Sequence, residues 1–79
     1  MVVEWKVRLT YPERLLGKPL IYELIQRFNL MTNIVEAQVT AETGWLIVTM
    51  RGEQEMIQKG LDWITSSGVT VEVLSRSEE

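Results

Sequence analysis

Two kinds of hydrophobic periodicity alternate along the chain and predict four strands and two helices. A period of two is typical of a half-buried strand, and it first runs from Val3 to Tyr11. It returns as Val35 to Ala41 and as Trp45 to Arg51, on either side of the turn signal Glu42-Thr43-Gly44. The last alternation, from Val69 to Leu74, predicts the fourth strand.

Apolar residues at helical spacing fill the two remaining intervals. The first stripe follows Pro19, whose fixed φ suits a helix start, and ends at Phe28. Asn29 can then adopt the left-handed conformation that commonly ends a helix. The second stripe runs from Met56 to Ile64 and includes Gly60, where we expect the backbone to approach the sheet closely.

The resulting order, β-α-β-β-α-β, predicts an α+β fold of the ferredoxin-like type. Because parallel crossovers are right-handed, both helices should lie on one face of a four-stranded antiparallel sheet with strand order 4-1-3-2. We expect a strand break at Gly52 and a positive φ at Gly44. Residues 1–75 are predicted to form one domain and residues 76–79 a polar C-terminal tail. We expect the chain to fray from Ser75 to Glu79.

The face of the sheet without helices is a candidate interaction surface. Simple alternation places four large apolar residues on it: Ile34, Trp45, Ile47 and Leu74. Ile34, Trp45 and Ile47 belong to the two strands of one hairpin, so we expect them to cluster and to form an interface. The alternative is that they are scattered surface hydrophobes, which are normal on any protein.

Composition narrows the possible functions. The chain has 79 residues, 46% hydrophobic and 24% charged, with no cysteine and no histidine, so the commonest general base, thiolate and zinc ligands are missing. We therefore expect no enzyme activity, cofactor or metal. A net charge of −3 argues against nucleic-acid binding. Without a long apolar run or a signal peptide, we expect no membrane insertion and a cytoplasmic location.

One segment resembles a known family. The residues Gln26-Arg27-Phe28-Asn29-Leu30-Met31-Thr32-Asn33-Ile34-Val35-Glu36-Ala37-Gln38 are similar to the hallmark of the NIL domain, named for its Asn-Ile-Leu tripeptide. This chain has Asn33-Ile34-Val35 there, a conservative departure at the third position. The resemblance continues to the closing segment Gly68 to Leu74 and covers nearly the whole chain.

The resemblance implies a regulatory role. NIL domains occur at the C-terminus of the ATPase subunit of bacterial methionine importers, where they pair across the dimer, bind methionine and inhibit transport. They also occur fused to ferredoxin-type segments and as short free-standing proteins. Because the chain has no Walker motif and no cluster ligands, we expect the free-standing kind, which would regulate an activity carried by another chain.

The resemblance also implies a ligand site at Asn33. An amide offers both a donor and an acceptor, which suits the two ends of an amino acid. The alternative is a turn residue between Asn29 and the second strand. Ile34, Phe28 and Met50 are candidate apolar contacts for the ligand, although core packing is the alternative for Phe28 and Met50.

Two functions of different classes follow. The first is a homodimeric regulatory module that binds methionine or a related amino acid. The second is a protein–protein adaptor that docks on a transporter ATPase or a ferredoxin-type partner without binding a small molecule.

Overall fold

A computed structural model describes residues 1–78, and its elements follow the predicted order. The strands are β1 (Val2–Pro12), β2 (Met31–Val39), β3 (Thr43–Glu53) and β4 (Thr70–Glu78). The helices are α1 (Leu20–Phe28) and α2 (Gln54–Ser66), with a short 3-10 helix (Glu13–Leu15) before α1. All strand pairs are antiparallel and the spatial order is β2-β3-β1-β4, which confirms the ferredoxin-like α+β fold.

The alternation in β1 produces the core. Every second residue of this central strand is buried, and these side chains meet the apolar stripes of both helices in one cluster. Burial of each large apolar side chain contributes about 1.5–3 kcal/mol to the free energy of folding. The cluster includes Val3, Trp5, Val7 and Leu9 from β1, Leu20 and Leu24 from α1, and Ile57, Leu61 and Ile64 from α2.

The ends of α1 lie close to where the sequence predicts them. The helix begins directly after Pro19, and Asn29 follows it with φ 52° and ψ 51°, which confirms the left-handed helix end. Between residues 1 and 78, Asn29 is the residue other than glycine with positive φ, and Gly68 after α2 is the glycine with positive φ.

Gly44 and Gly52 lie inside β3 for a reason that differs from the prediction. Gly44 does not take a positive φ, and Gly52 does not end the strand. Each instead leaves room for a leucine: a Cβ would lie 2.7 Å from Leu16 Cδ2 at Gly44 and 2.8 Å from Leu30 Cδ2 at Gly52. The glycines therefore let the segments that flank α1 approach the sheet.

Gly60 corrects a second expectation. It is buried, but it faces α1 and not the sheet, since a Cβ there would lie 2.9 Å from Leu24 Cδ1 and 3.3 Å from Phe28 Cδ2. The absence of a side chain thus allows the two helices to pack closely.

The prediction of a frayed tail is wrong for Ser75 to Glu78. These residues continue β4, and the Cα pairing with β1 extends to Val3 and Glu78. Polar composition suggested a tail, but an edge strand tolerates polar side chains because β1 supplies its backbone partners. The Arg76 guanidinium also stacks over the Trp5 ring at 4.7 Å. Glu79 lies outside the described residues.

Both edge strands contain a bulge. In β2 the pairing passes from Ile34 to Glu36 and leaves Val35 without a direct partner on β3. In β4 it passes from Val73 to Ser75 and leaves Leu74 in the same position relative to β1. An extra residue shifts the following side chains to the other face and twists the edge. No helix within residues 1–78 is long and apolar enough to cross a lipid bilayer.

Candidate functional site

Asn33 lies inside β2 and is not a turn residue. Its Cα pairs with Thr49 of β3, which in turn pairs with Lys6 of β1. These positions alternate with the buried ones, so Asn33 belongs to the helix-free face of the sheet. The turn interpretation of Asn33 is therefore wrong, and Asn29 fills that role at the end of α1.

A shallow cavity of about 350 Å³ surrounds Asn33 on this face. It lies where the start of β2 meets the end of β3 and the start of β1. Its lining residues come from all three strands: Glu4, Met31, Thr32, Asn33, Thr49 and Arg51. We call this cavity the Asn33 pocket.

The Asn33 pocket combines four kinds of polar group with one long apolar side chain. Glu4 and Arg51 are directly paired neighbours on β1 and β3, so charges of both signs lie beside the Asn33 amide and the Thr49 hydroxyl. Such a set can accept an ammonium group and donate to a carboxylate. In residues 1–78 no group of three or more side chains could hold a metal ion.

The bulge at Val35 separates Ile34 from Trp45 and Ile47. Ile34 pairs with the buried Val48, so it lies on the helix side of the sheet, whereas Trp45 and Ile47 lie on the helix-free face. The prediction that these three residues cluster is therefore wrong. Within β2, the two consecutive apolar residues at 34–35 were the only sign in the sequence of this irregularity.

The structure does not bring the four predicted ligand residues together. Met50 is 0% exposed in the core, on the side of the sheet opposite Asn33. Phe28 packs between the helices, with its ring centroid 6.0 Å from that of Trp63. The surroundings of Phe28 and Met50 therefore agree with the alternative interpretation, in which both residues pack in the core. Ile34 follows Asn33 in the chain but lies on the other face.

Trp45 and Ile47 are half-buried on the helix-free face. The guanidinium carbon of Arg8 lies 4.7 Å from the Trp45 ring centroid, so a cation covers part of the indole. The apolar surface on this face is consequently smaller than the sequence alone indicates.

The exposed apolar surface lies instead along the edge strand β2. Its side chains remain exposed on the helix side because the helices cover the other strands of the sheet. Ile34 is 55% exposed and Val39 is 66% exposed. Together with Met31 and Val35 they form what we call the β2 edge, an edge strand rich in apolar side chains whose outer side has no neighbouring strand.

Sequence reasoning missed a second cavity, at the opposite end of β2 from Asn33. It lies between the start of α1 and the β2–β3 hairpin, and Tyr11, which is 7% exposed, is part of its lining. The Tyr11 hydroxyl is buried and has no hydrogen-bond partner among residues 1–78. Burial raises the pKa of Tyr11 to about 12. From the sequence, Tyr11 is recognisable only as the last core residue of β1, and no sequence pattern indicates the cavity.

Fold and site together define a class: a ferredoxin-like α+β domain with a polar pocket on its helix-free face and an exposed edge strand. Residues 6–73 match the NIL domain, and the chain belongs to the NIL domain family. This is a family of regulatory domains, and the match confirms the resemblance seen in the sequence.

The related proteins are components of methionine importers. Methionine import ATP-binding protein MetN of Escherichia coli (strain K12) is 32% identical over 72 residues, which cover 86% of this chain and 21% of that protein. The protein of the same name from Coxiella burnetii is 28% identical over 72 residues, covering 86% of this chain and 20% of that protein. The chain thus spans about a fifth of the length of the curated relatives it matches.

Solved structures show the same fold. The crystal structure of the C-terminal domain of an ABC transporter ATP-binding protein from Enterococcus faecalis superposes with a TM-score of 0.78 at 20% identity, covering 90% of this chain and 83% of that one. A de novo designed protein, Foldit4, has a TM-score of 0.65 at 16% identity, covering 100% of this chain and 99% of that one.

Proposed function

We propose that this NIL domain is a regulatory module, not an enzyme, that binds methionine or a related amino acid in the Asn33 pocket and works as a homodimer. The observation that carries the proposal is the composition of that pocket, in which one amide lies beside an acid and a base. The family match and the names of the relatives support methionine as the first ligand to test. We also propose that the module is located in the cytoplasm.

The pocket groups suit the parts of an amino acid. The Arg51 guanidinium and the Asn33 amide can donate to the ligand carboxylate, and the Glu4 carboxylate can accept from its ammonium group. Met31 offers a flexible thioether side chain for apolar contact. The pocket is shallow, so one copy of the chain leaves a ligand partly in solvent.

The β2 edge supplies a reason for pairing. An edge strand with exposed apolar side chains can add to the same strand of a second copy and extend the sheet. Asn33 and Met31 belong to this strand, so pairing there would cover the open side of the Asn33 pocket. Ligand binding and dimer formation are then coupled.

Isothermal titration with methionine tests the proposal. Asn33→Ala should weaken binding by about 1–3 kcal/mol, because a polar group of the ligand loses its partner. The fold should survive, since Asn33 is exposed and the core is untouched. Gln38→Ala is the matched control: it lies on the same strand and the same face, opposite Trp45 and outside the pocket. The absence of heat at millimolar methionine would refute the sensor function.

A second candidate is an adaptor that docks on a transporter ATPase or a ferredoxin-type protein without binding a small molecule. The exposed β2 edge favours it, because strand addition works with any partner that has a free edge. The titration separates the two functions. An adaptor gives no methionine heat, and Asn33→Ala leaves its affinity for the partner unchanged.

A further inference from the structure

We propose that Met31 is a site of reversible oxidation to methionine sulfoxide, and that this oxidation weakens ligand binding in the Asn33 pocket. The inference rests on the proposed function, because it concerns the regulation of that same site. Met31 is 68% exposed, so hydrogen peroxide can reach its thioether sulfur. Met50 is 0% exposed, and the chain therefore contains a protected methionine for comparison.

The position of Met31 connects it to the pocket. It is part of the pocket lining and precedes Asn33 by two residues on β2, so both side chains lie on the helix-free face. Its Cα partner on β3 is Arg51, and directly opposed residues of antiparallel strands have Cβ atoms about 4.5–5.5 Å apart. Met31 is thus a neighbour of both groups that are proposed to donate to the ligand carboxylate.

Oxidation converts the apolar Met31 side chain into a hydrogen-bond acceptor. The thioether sulfur attacks one oxygen of hydrogen peroxide, so that the S–O bond forms and the O–O bond breaks. The second oxygen takes up the proton of the transferred oxygen and leaves as water. The sulfur is oxidised and the peroxide is reduced, and no other reactant is needed. Methionine sulfoxide reductases reverse the change.

The new oxygen can occupy the donors that the ligand needs. On a flexible side chain, the sulfoxide oxygen can accept a hydrogen bond from the Arg51 guanidinium or the Asn33 amide. The oxidised side chain also loses the apolar contact that Met31 offers to the ligand. Because both effects have the same direction, oxidation of Met31 should raise the dissociation constant for methionine about fivefold or more, the loss expected for one hydrogen bond.

Peptide mapping of the full chain after treatment with hydrogen peroxide tests the modification. Met31 and Met50 fall in the same tryptic peptide, residues 28–51, in which fragment masses show which sulfur carries the added oxygen. Met31 should be oxidised on the order of tenfold faster than Met50, or more. Equal rates of oxidation at the two residues overturn the proposal.

Calorimetric titration with methionine, after the peroxide has been removed, tests the consequence. The oxidised parent should bind methionine about fivefold more weakly than the reduced parent. The two classes of sulfoxide reductase, one for each epimer, should restore the affinity. Met31→Leu is the matched control, because it has a similar volume and no sulfur. Peroxide should leave its affinity unchanged, although Met1, which is 67% exposed and lies outside the pocket, remains oxidisable.

The outcomes separate this inference from the proposed function. No methionine heat with the reduced parent refutes the proposed function and the regulation with it, while peptide mapping still decides whether Met31 is oxidised. If the reduced parent binds methionine, an unchanged affinity of the oxidised parent overturns regulation through Met31. An equal loss of affinity in the parent and in Met31→Leu assigns the effect to another methionine and overturns it as well.

Discussion

Gly60 is where a single substitution tests the packing of the two helices most directly. A Cβ at this position would lie 2.9 Å from Leu24 Cδ1, 3.3 Å from Phe28 Cδ2 and 3.4 Å from Leu30 Cδ1. Leu24 is 0% exposed and has no solvent to move into. Gly60→Leu adds three further carbon atoms beyond that Cβ, so α1 and α2 must separate or their side chains must leave their preferred rotamers.

Overpacking of this kind lowers the free energy of unfolding by about 1–3 kcal/mol. For a domain of this size each kcal/mol lowers the melting temperature by roughly 4–8 °C, so Gly60→Leu should melt about 10 °C below the parent. Gly60→Ala separates the contributions. Its gain in helix propensity, about 1 kcal/mol, opposes the contact with Leu24, and its stability should stay within about 1 kcal/mol of the parent.

Thermal and urea unfolding followed by circular dichroism measures both variants. Gly17→Ala is the control, because no atom lies within 4 Å of a Cβ there and the backbone φ is not positive. It should be as stable as the parent or gain about 0.4–1 kcal/mol. If Gly60→Leu melts at the parent temperature, the close approach of the helices at Gly60 is wrong.

Three further predictions concern pairing, pH and the end of α2. Pairing through the β2 edge predicts that Ile34→Asp raises the dimer dissociation constant on the order of tenfold or more in sedimentation experiments. Ile47→Asp on the helix-free face should leave it unchanged, and the reverse result would place the interface on that face. Because folding raises the Tyr11 pKa from 10.0 to about 12, stability is full below pH 10 and falls by about 2–3 kcal/mol as pH rises to 12. Urea unfolding between pH 10 and 12 should show that Tyr11→Phe removes this part of the loss of stability. If the variant loses as much stability as the parent, the raised pKa of Tyr11 is contradicted. Gly68→Ala should lower thermal stability by about 1–3 kcal/mol, since Gly68 has φ 113° and Arg14 occupies the position of a Cβ. A melting temperature equal to that of the parent would argue against the positive φ at Gly68.

The periodicity of the sequence predicted the fold because each strong pattern agreed with its neighbours. The alternation in β1 fixed its buried face, Asn29 marked the end of α1, and the order of elements left one right-handed arrangement of four strands. The glycines were less informative. The sequence suggested a turn at Gly44 and a strand break at Gly52. The leucine side chain that explains each glycine lies elsewhere in the chain, where local pattern does not reveal it.

The candidate site was predicted only where it depends on Asn33. Because of the bulge at Val35, Ile34 and the residues before it lie on the opposite face from the one that simple alternation predicts. Alternation alone cannot locate the one extra residue that causes this. Polar composition also hid the continuation of β4 to Glu78, because backbone pairing with β1 leaves little trace in side-chain pattern. The Tyr11 hydroxyl stood out only once its surroundings were known.

Strand β2 connects the proposed ligand site to the proposed dimer. Asn33 lies near its beginning, in the Asn33 pocket. If two copies pair along this strand, a ligand that binds the paired form more tightly by some factor must raise the association constant of the dimer by the same factor. The dimer therefore reports ligand occupancy without any change in fold. The coupling has a sign that sedimentation can measure: methionine should shift the parent toward dimer and leave Asn33→Ala where it is. A shift of equal size in both would mean that pairing responds to something other than the Asn33 pocket.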